Sequence, residues 1–411
     1  MSSLRRLSLV GMLAAVIATW SKPSQAMPAF ARKYGFNCGM CHSAWPRLND
    51  FGQKYRMNGY QIPGDEAREK TILELGGTPL ALRTQAGYTS DSFSPHGAES
   101  EVSQFQVNGL DLLGGGVLGF NKSFFLAYLP QIEGGSGIEA QTGEVEQASV
   151  VFSRLRSTWL NARVGRFEAA YLPFSRLRSI TLAPYEIYNF NGSPDVSAAG
   201  TRGSYNPFSP ADTADGIEIT GWGRCPWQYA FGIANGSRGN NQDDSPSDIY
   251  LRGAYVFGEG FGQTAGQRVG ATLYFGRARA LVLGTRHSFR RVGLDASLNR
   301  GPYNVELQLI QGRDSGAFNV FSPGDRYKFS GGFVQLNRFA EESAAFLRYD
   351  WVNTPSADNH DISRVTVGWR QHLAHPLMLR LEYSCRKVDN GAGAGSDLTE
   401  NLAAARLDWA F

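Results

Sequence analysis

The sequence predicts an all-β transmembrane barrel of about sixteen antiparallel strands, preceded by a small α-helical segment. Three observations predict it. From residue 78 to the end, apolar and polar residues alternate with a period of two in segments of about ten. The connections between these segments alternate between long and polar and short and tight. The chain is also rich in glycine (48 of 411 residues, against an average near 7%) and in aromatic residues (12%), while its mean hydropathy is only −0.28. A helical membrane bundle needs far more apolar sequence, and 19% charged residues is too few for a disordered chain. The net charge of +3 gives no indication of a nucleic-acid partner.

The first element is a targeting segment. Arg5 and Arg6 precede an apolar stretch from Leu7 to Trp20, and Ser24-Gln25-Ala26 supplies a small-residue cleavage site. This is the layout of a secretory signal peptide over residues 1–26, and the apolar stretch is shorter than the roughly 20 residues that cross a bilayer.

The second element, residues 27–77, opens on Cys38, Cys41 and His42, a C-x-x-C-H motif. Two thiols at that spacing add to the two vinyl groups of one haem, and the imidazole that follows reaches the iron. The motif therefore predicts one covalently attached haem c, held by Cys38 and Cys41 with His42 as axial ligand. A zinc site would need two further ligands at similar spacing, and a Cys38–Cys41 disulfide is the other structural alternative. A haem-packing helix is expected next, with Pro46 in its first turn, Leu48, Phe51 and Tyr55 on one face, and Gly59 at its end. A domain of about 50 residues depends on such a group for its core. Met57 is the preferred sixth iron ligand; Met40, inside the attachment loop, is badly placed to reach the other face, and Met27, a histidine and water remain open. No acid, base or nucleophile constellation is visible.

The third element is the barrel, residues 78–411, reached through a charged linker from Asp65 to Glu74. Val292, Leu294, Ala296 and Leu298 alternate with Gly293, Asp295 and Ser297, and Val365, Val367 and Trp369 alternate with Arg364, Thr366 and Arg370. Strands are expected to start near residues 78, 102, 119, 144, 158, 215, 227, 247, 268, 289, 303, 328, 343, 363, 377 and 399. Short turns are expected at Gly114-Gly115-Gly116, 223–226, 299–302 and 374–376. An even strand count returns the C-terminus to the side on which the barrel began. The last strand ends on Phe411, which resembles the recognition signal of bacterial outer-membrane proteins. The connection from Glu168 to Ala214 is long enough to fold inward and narrow the lumen or cover the haem. Arg83, Arg154, Arg163, Arg166, Arg348, Arg364, Arg370, Arg380 and Glu382 are candidates to line the lumen, where they would grip the haem segment or solvate a pore. His96, His287, His360, Asp243 and Asp244 are loop residues of metal-binding type. Cys225 and Cys385 fall at opposite ends of strands, too far apart for a disulfide.

Residues 28–60, PAFARKYGFNCGMCHSAWPRLNDFGQKYRMNGY, resemble the fused monohaem cytochrome–porin family, the outer-membrane iron oxidases of iron-oxidising bacteria. Pro28, Phe30-Ala31-Arg32, the Cys38–His42 motif, Pro46, Leu48, Phe51-Gly52 and Gly59-Tyr60 carry the resemblance, and the barrel matches in architecture and length. The resemblance implies a barrel in contact with outer-membrane lipid that carries the haem inside it or on its periplasmic side. It implies one-electron transfer from extracellular Fe(II) to a periplasmic carrier such as a c-type cytochrome. The alternatives at this point are an electron conduit with another donor or the opposite direction of flow, and a porin with an accessory haem domain.

Overall fold

The computed structural model describes residues 29–410 apart from 77–79, 96–99, 130–143, 191–205, 207, 224–225, 236–247, 258–266, 280–285, 317–325, 355–360, 375–376 and 390–396. The signal peptide, Met27, His96, Cys225, Asp243, Asp244, His360 and Phe411 lie outside the described residues.

The period-two region forms a closed barrel of sixteen antiparallel strands. In chain order these are β3 (Leu80–Pro95), β4 (Ser100–Gly119), β5 (Lys122–Leu129), β6 (Glu144–Phe152), β7 (Asn161–Phe167), β8 (Ala214–Trp222), β9 (Trp227–Ala234), β10 (Asp248–Phe257), β11 (Gln267–Arg279), β12 (Arg286–Arg300), β13 (Tyr303–Asp314), β14 (Tyr327–Phe339), β15 (Ser343–Asn353), β16 (Asp361–Ala374), β17 (Leu377–Asp389) and β18 (Leu398–Ala410). Each strand pairs with the next, and β18 returns to pair with β3 from Ala410↔Arg83 to Leu398↔Pro95. No edge strand is left over, as a barrel requires.

The alternation resolves into an apolar outside and a polar inside. Leu294, Leu347, Val365 and Trp409 stand about half exposed on the outer surface, whereas Glu306, Gln335, Arg348 and Asp350 are buried inside. This is inverted relative to a water-soluble sandwich, whose strands bury their apolar face. The short turn expected at 299–302 is found at Gly301-Pro302, between β12 and β13; those expected at 223–226 and 374–376 lie partly outside the described residues. Gly114-Gly115-Gly116 is not a turn: it lies within β4, and the turn comes at Phe120-Asn121. The glycine run serves packing, because a Cβ on Gly115 would approach the Phe30 ring to 3.0 Å.

Before the barrel, the chain forms a plug inside it. Its elements are α1 (Ala29–Tyr34), a 3₁₀ turn over Cys38–Met40, the small hairpin β1 (His42–Ala44) and β2 (Arg47–Leu48), and α2 (Asp50–Met57). Pro46 falls in the β1–β2 turn rather than in the helix, and Asn49 caps α2, its Oδ1 accepting from the Gly52 N–H at 2.9 Å. Gly59, at φ +68°, ends the segment as expected. Plug side chains reach walls far apart around the barrel. Arg47 pairs with Glu306 on β13 at 2.6 Å, Tyr60 stacks on Phe125 of β5, and the Trp45 ring lies against Arg83 of β3 and Arg380 of β17. A segment that touches so many strands occupies the lumen.

The connection after β7 also turns inward. Its α3 (Glu186–Asn189) and the segment leading to it are pinned by buried wall residues. Glu382 accepts from Thr181 Oγ1, Leu182 N and Ala183 N at 3.1, 2.7 and 2.6 Å. Arg348 donates to the Ala183 and Pro184 carbonyls, and Glu186 pairs with Arg364 at 2.7 Å. Between these polar anchors, Phe174, Tyr185 and Tyr188 pack on Phe333, while Tyr171 and Phe208 pack on Tyr274. The lumen is therefore filled by the plug and by this infolded segment.

Candidate functional site

Cys38, Cys41 and His42 line one cavity of about 480 Å³, enclosed by the plug, the barrel wall at β3–β6 and β17–β18, and the infolded residues 176–182. That volume is in the range of small-molecule and cofactor sites. The local sequence builds it. Asn37 caps the 3₁₀ turn through its Oδ1, and Asn49 Nδ2 donates to the Gly39 and Met40 carbonyls at 3.2 and 3.0 Å, while its own N–H donates to Cys41 O at 2.9 Å. One asparagine thus caps α2 and ties down the loop between the cysteines. Gly52 lets the helix come close: a Cβ there would stand 2.2 Å from Cys41 O. An aromatic floor of Phe30, Tyr34, Tyr55 and Tyr60 packs beneath.

The chemistry of these three side chains is compatible with a covalently held macrocycle. Burial raises the pKa of both thiols, that of Cys41 to about 11, so they are not thiolates poised as nucleophiles. They are unpaired and half-buried. Burial lowers the pKa of His42 to about 4, against the opposing pull of the backbone at Pro46 and Arg47, so its imidazole is neutral, the form that ligates a metal. Its Nδ1 is buried without a hydrogen bond. Among the described residues no group of three His, Cys, Asp or Glu side chains is placed to hold a metal ion, and His287 lies on β12 rather than in a loop.

Met57 is not brought to this cavity. It faces the other side of α2 and lines a smaller cavity with Arg163, Ala170 and Glu218. Met40 lies in the loop between the two cysteines and is exposed. Helical spacing could have shown the difference, since Phe51, Gly52 and Tyr55 share the cavity face of α2 and Met57 does not; Leu48, expected on the same helix, lies in β2. Sequence reasoning also missed Asn49; the Asn-Asp pair before Phe51 was its signal, as an N-cap followed by an acidic first-turn residue.

The lumen charges mostly hold the two inserted segments. Arg154 pairs with Glu66 of the plug at 2.7 Å, Arg370 donates to the Trp45 carbonyl at 3.2 Å, and Arg163 pairs with Glu218, which also accepts from Ala170 N at 2.6 Å. Arg166 pairs with Asp215 of the neighbouring strand β8 at 2.6 Å. Cys385 is unpaired. Glu168 is the junction between plug and infolded segment: its carboxylate takes Arg178, Ser175 Oγ and, at 3.7 Å, Arg56. Burial pushes its pKa up, but Arg178 and then Arg56 hold it below the ordinary carboxylate range. Glu168→Gln leaves two buried guanidiniums without their anion and is expected to cost about 3–5 kcal/mol, read as a lower midpoint of thermal unfolding in detergent. Because the carboxyl is held low in the folded state, its stabilisation is present above the ordinary carboxylate pKa and lost as pH falls through the depressed value. The two proteins should therefore converge in acid; an equal loss at every pH would contradict this role.

No protein-family profile and no curated sequence matches the chain. Solved structures match it along the barrel. The anion-selective porin from Comamonas acidovorans aligns over 81% of this chain and 100% of its own at 16% identity and a TM-score of 0.54. The outer membrane channel DcaP of Acinetobacter baumannii aligns over 82% and 98% at 10% identity and a TM-score of 0.57. OmpF of Salmonella typhi, solved with daunomycin, aligns over 82% and 98% at 12% identity and a TM-score of 0.52. At these identities the likeness establishes a porin-type barrel fold.

Proposed function

We propose that this chain is an outer-membrane cytochrome–porin fusion that carries single electrons across the membrane, from extracellular Fe(II) to a periplasmic carrier. The observation that carries this reading is the convergence of Cys38, Cys41 and His42 on one cavity within a barrel whose outside is apolar. Cys38 and Cys41 would hold a haem through thioether bonds and His42 would ligate its iron; the group so held supplies a one-electron couple. The chain's own residues bind it, cover it with residues 176–182, and fill the remaining lumen, so that a donor outside loses an electron without entering the cell. Each Fe(II) would become Fe(III) as one electron passes inward to the carrier. The porin fold, the N-terminal targeting layout and the resemblance of residues 28–60 to the cytochrome–porin family support the location and the direction.

The test is to purify the full-length protein from outer membranes and stain it for covalent haem after denaturation. The oxidised protein is then mixed with Fe(II) and its visible bands are followed. Covalent haem that is reduced by Fe(II), and that is lost in Cys38→Ser/Cys41→Ser, is the expected result. Protein without haem would end the reading. Haem that stays oxidised with Fe(II) but accepts electrons from another donor would reject iron alone.

A further inference from the structure

Three arginines stand directly opposite one another on the lumenal wall. The register pairs Arg370 of β16 with Arg380 of β17 and Arg380 with Arg406 of β18. Like charges directly opposite across a sheet repel, so the row needs anions. Two of the three have partners. Arg370 donates to the Trp45 carbonyl at 3.2 Å, and Arg380 pairs with Asp408 at 2.6 Å. Asp408 is also shared with Arg83, at 3.6 Å, and the neighbouring carboxylate of Glu382 is engaged by three donors of the infolded segment. Arg406 has no carboxylate within 4.0 Å among the described residues, and its Nε is buried without a hydrogen bond. Gly87 of β3 lets β18 come close at this point, since a Cβ there would stand 2.2 Å from Ala405 O and 2.7 Å from Arg406 Cα, with Arg406 Cγ next at 2.9 Å. Arg380 and Arg406 both open into the cavity that Cys38, Cys41 and His42 line.

We infer that Arg406, beside Arg380, receives a carboxylate of the cavity's occupant, and that this carboxylate is a haem propionate. The inference rests on the haem reading above and adds to it a positioning residue. An anchored propionate neutralises the repulsion along the row, and the guanidinium, a permanent positive charge in a poorly solvated cavity, favours the reduced, less positive state of the iron.

The test uses the full-length haem-loaded protein with Arg406→Gln. Removing one cation relieves the repulsion in the row, so the barrel is expected to assemble. Covalent haem per chain should be unchanged, because the thioethers do not depend on Arg406. The midpoint potential should fall by the equivalent of about a tenfold change in the reduction equilibrium, about 59 mV for one electron, and the resonance Raman band of the propionate bend should move. Arg406→Lys, which keeps charge and stem but not the planar fork, should hold the potential within about twofold in equilibrium constant while still moving the band. It provides the reading if the glutamine variant fails to assemble. Full haem content with an unmoved propionate band in either variant overturns the inference and leaves the haem reading standing. So does a wild-type potential that changes with added inorganic phosphate, which would mean that a solvent anion holds Arg406. A wild-type chain without haem overturns both.

Discussion

Gly52→Val is expected to reduce covalent haem per chain severalfold, although it touches neither cysteine nor the histidine. The added atoms would begin 2.2 Å from Cys41 O and 3.0 Å from Leu48 Cδ2. The first contact is backbone that already accepts from Asn49 N, so the strain cannot be relieved by turning a side chain. Overpacking costs about 1–3 kcal/mol where neighbours can adjust, and here α2 must move off the attachment loop. Gly39→Ala is the control. Gly39 lies between the two cysteines, yet its Cβ would meet only Asn37 Oδ1 at 3.6 Å, and that variant should attach haem normally. Haem staining normalised to protein checks both. Equal staining of Gly52→Val and wild type would mean that the close approach of α2 plays no part in the site.

The intact protein is expected to pass no porin-sized current in planar bilayers, despite a barrel of porin architecture. The plug braces the inner lumen through Arg47–Glu306, Arg154–Glu66 and Trp45 between Arg83 and Arg380. The infolded segment closes the space beyond it through Glu382, Arg348 and Arg364. Deletion of residues 29–72 should raise the conductance, though to less than that of an open porin, because the infolded segment stays anchored to the wall. Stable porin-sized steps from the intact chain would show that plug and infolded segment do not close it.

The barrel was legible because a wall between lipid and lumen forces a period of two on every strand, so Leu294 and Asp295 announce their opposite faces locally. Its even strand count and most of its turns follow from that pattern. The glycine run at 114–116 misled for a physical reason: in isolation glycines mark turns, but here the missing side chains make room for Phe30, a partner some 85 residues distant that no local pattern reveals. The C-x-x-C-H motif stands out in the sequence because haem attachment, where it occurs, requires that spacing. The cavity around it was not, because its walls come from strands β3 to β6 and β17 to β18 and from an infolded connection. Met57 shows the limit of reading by residue type, since a sulfur of the right kind, one turn from the motif's helix face, points at a different wall.

The pairing of β18 with β3 has a consequence for the order of assembly. The plug is among the first parts of the chain to be made, yet it is bonded to strands up to 325 residues later, as in the Arg370–Trp45 contact. Contacts of such separation form slowly, so the bracing of the plug is complete only once the late strands are in place. The strand that completes the ring also carries Arg406 and Asp408, so the seam and the last wall of the cavity are one element, and the step that shuts the barrel encloses whatever the cavity holds.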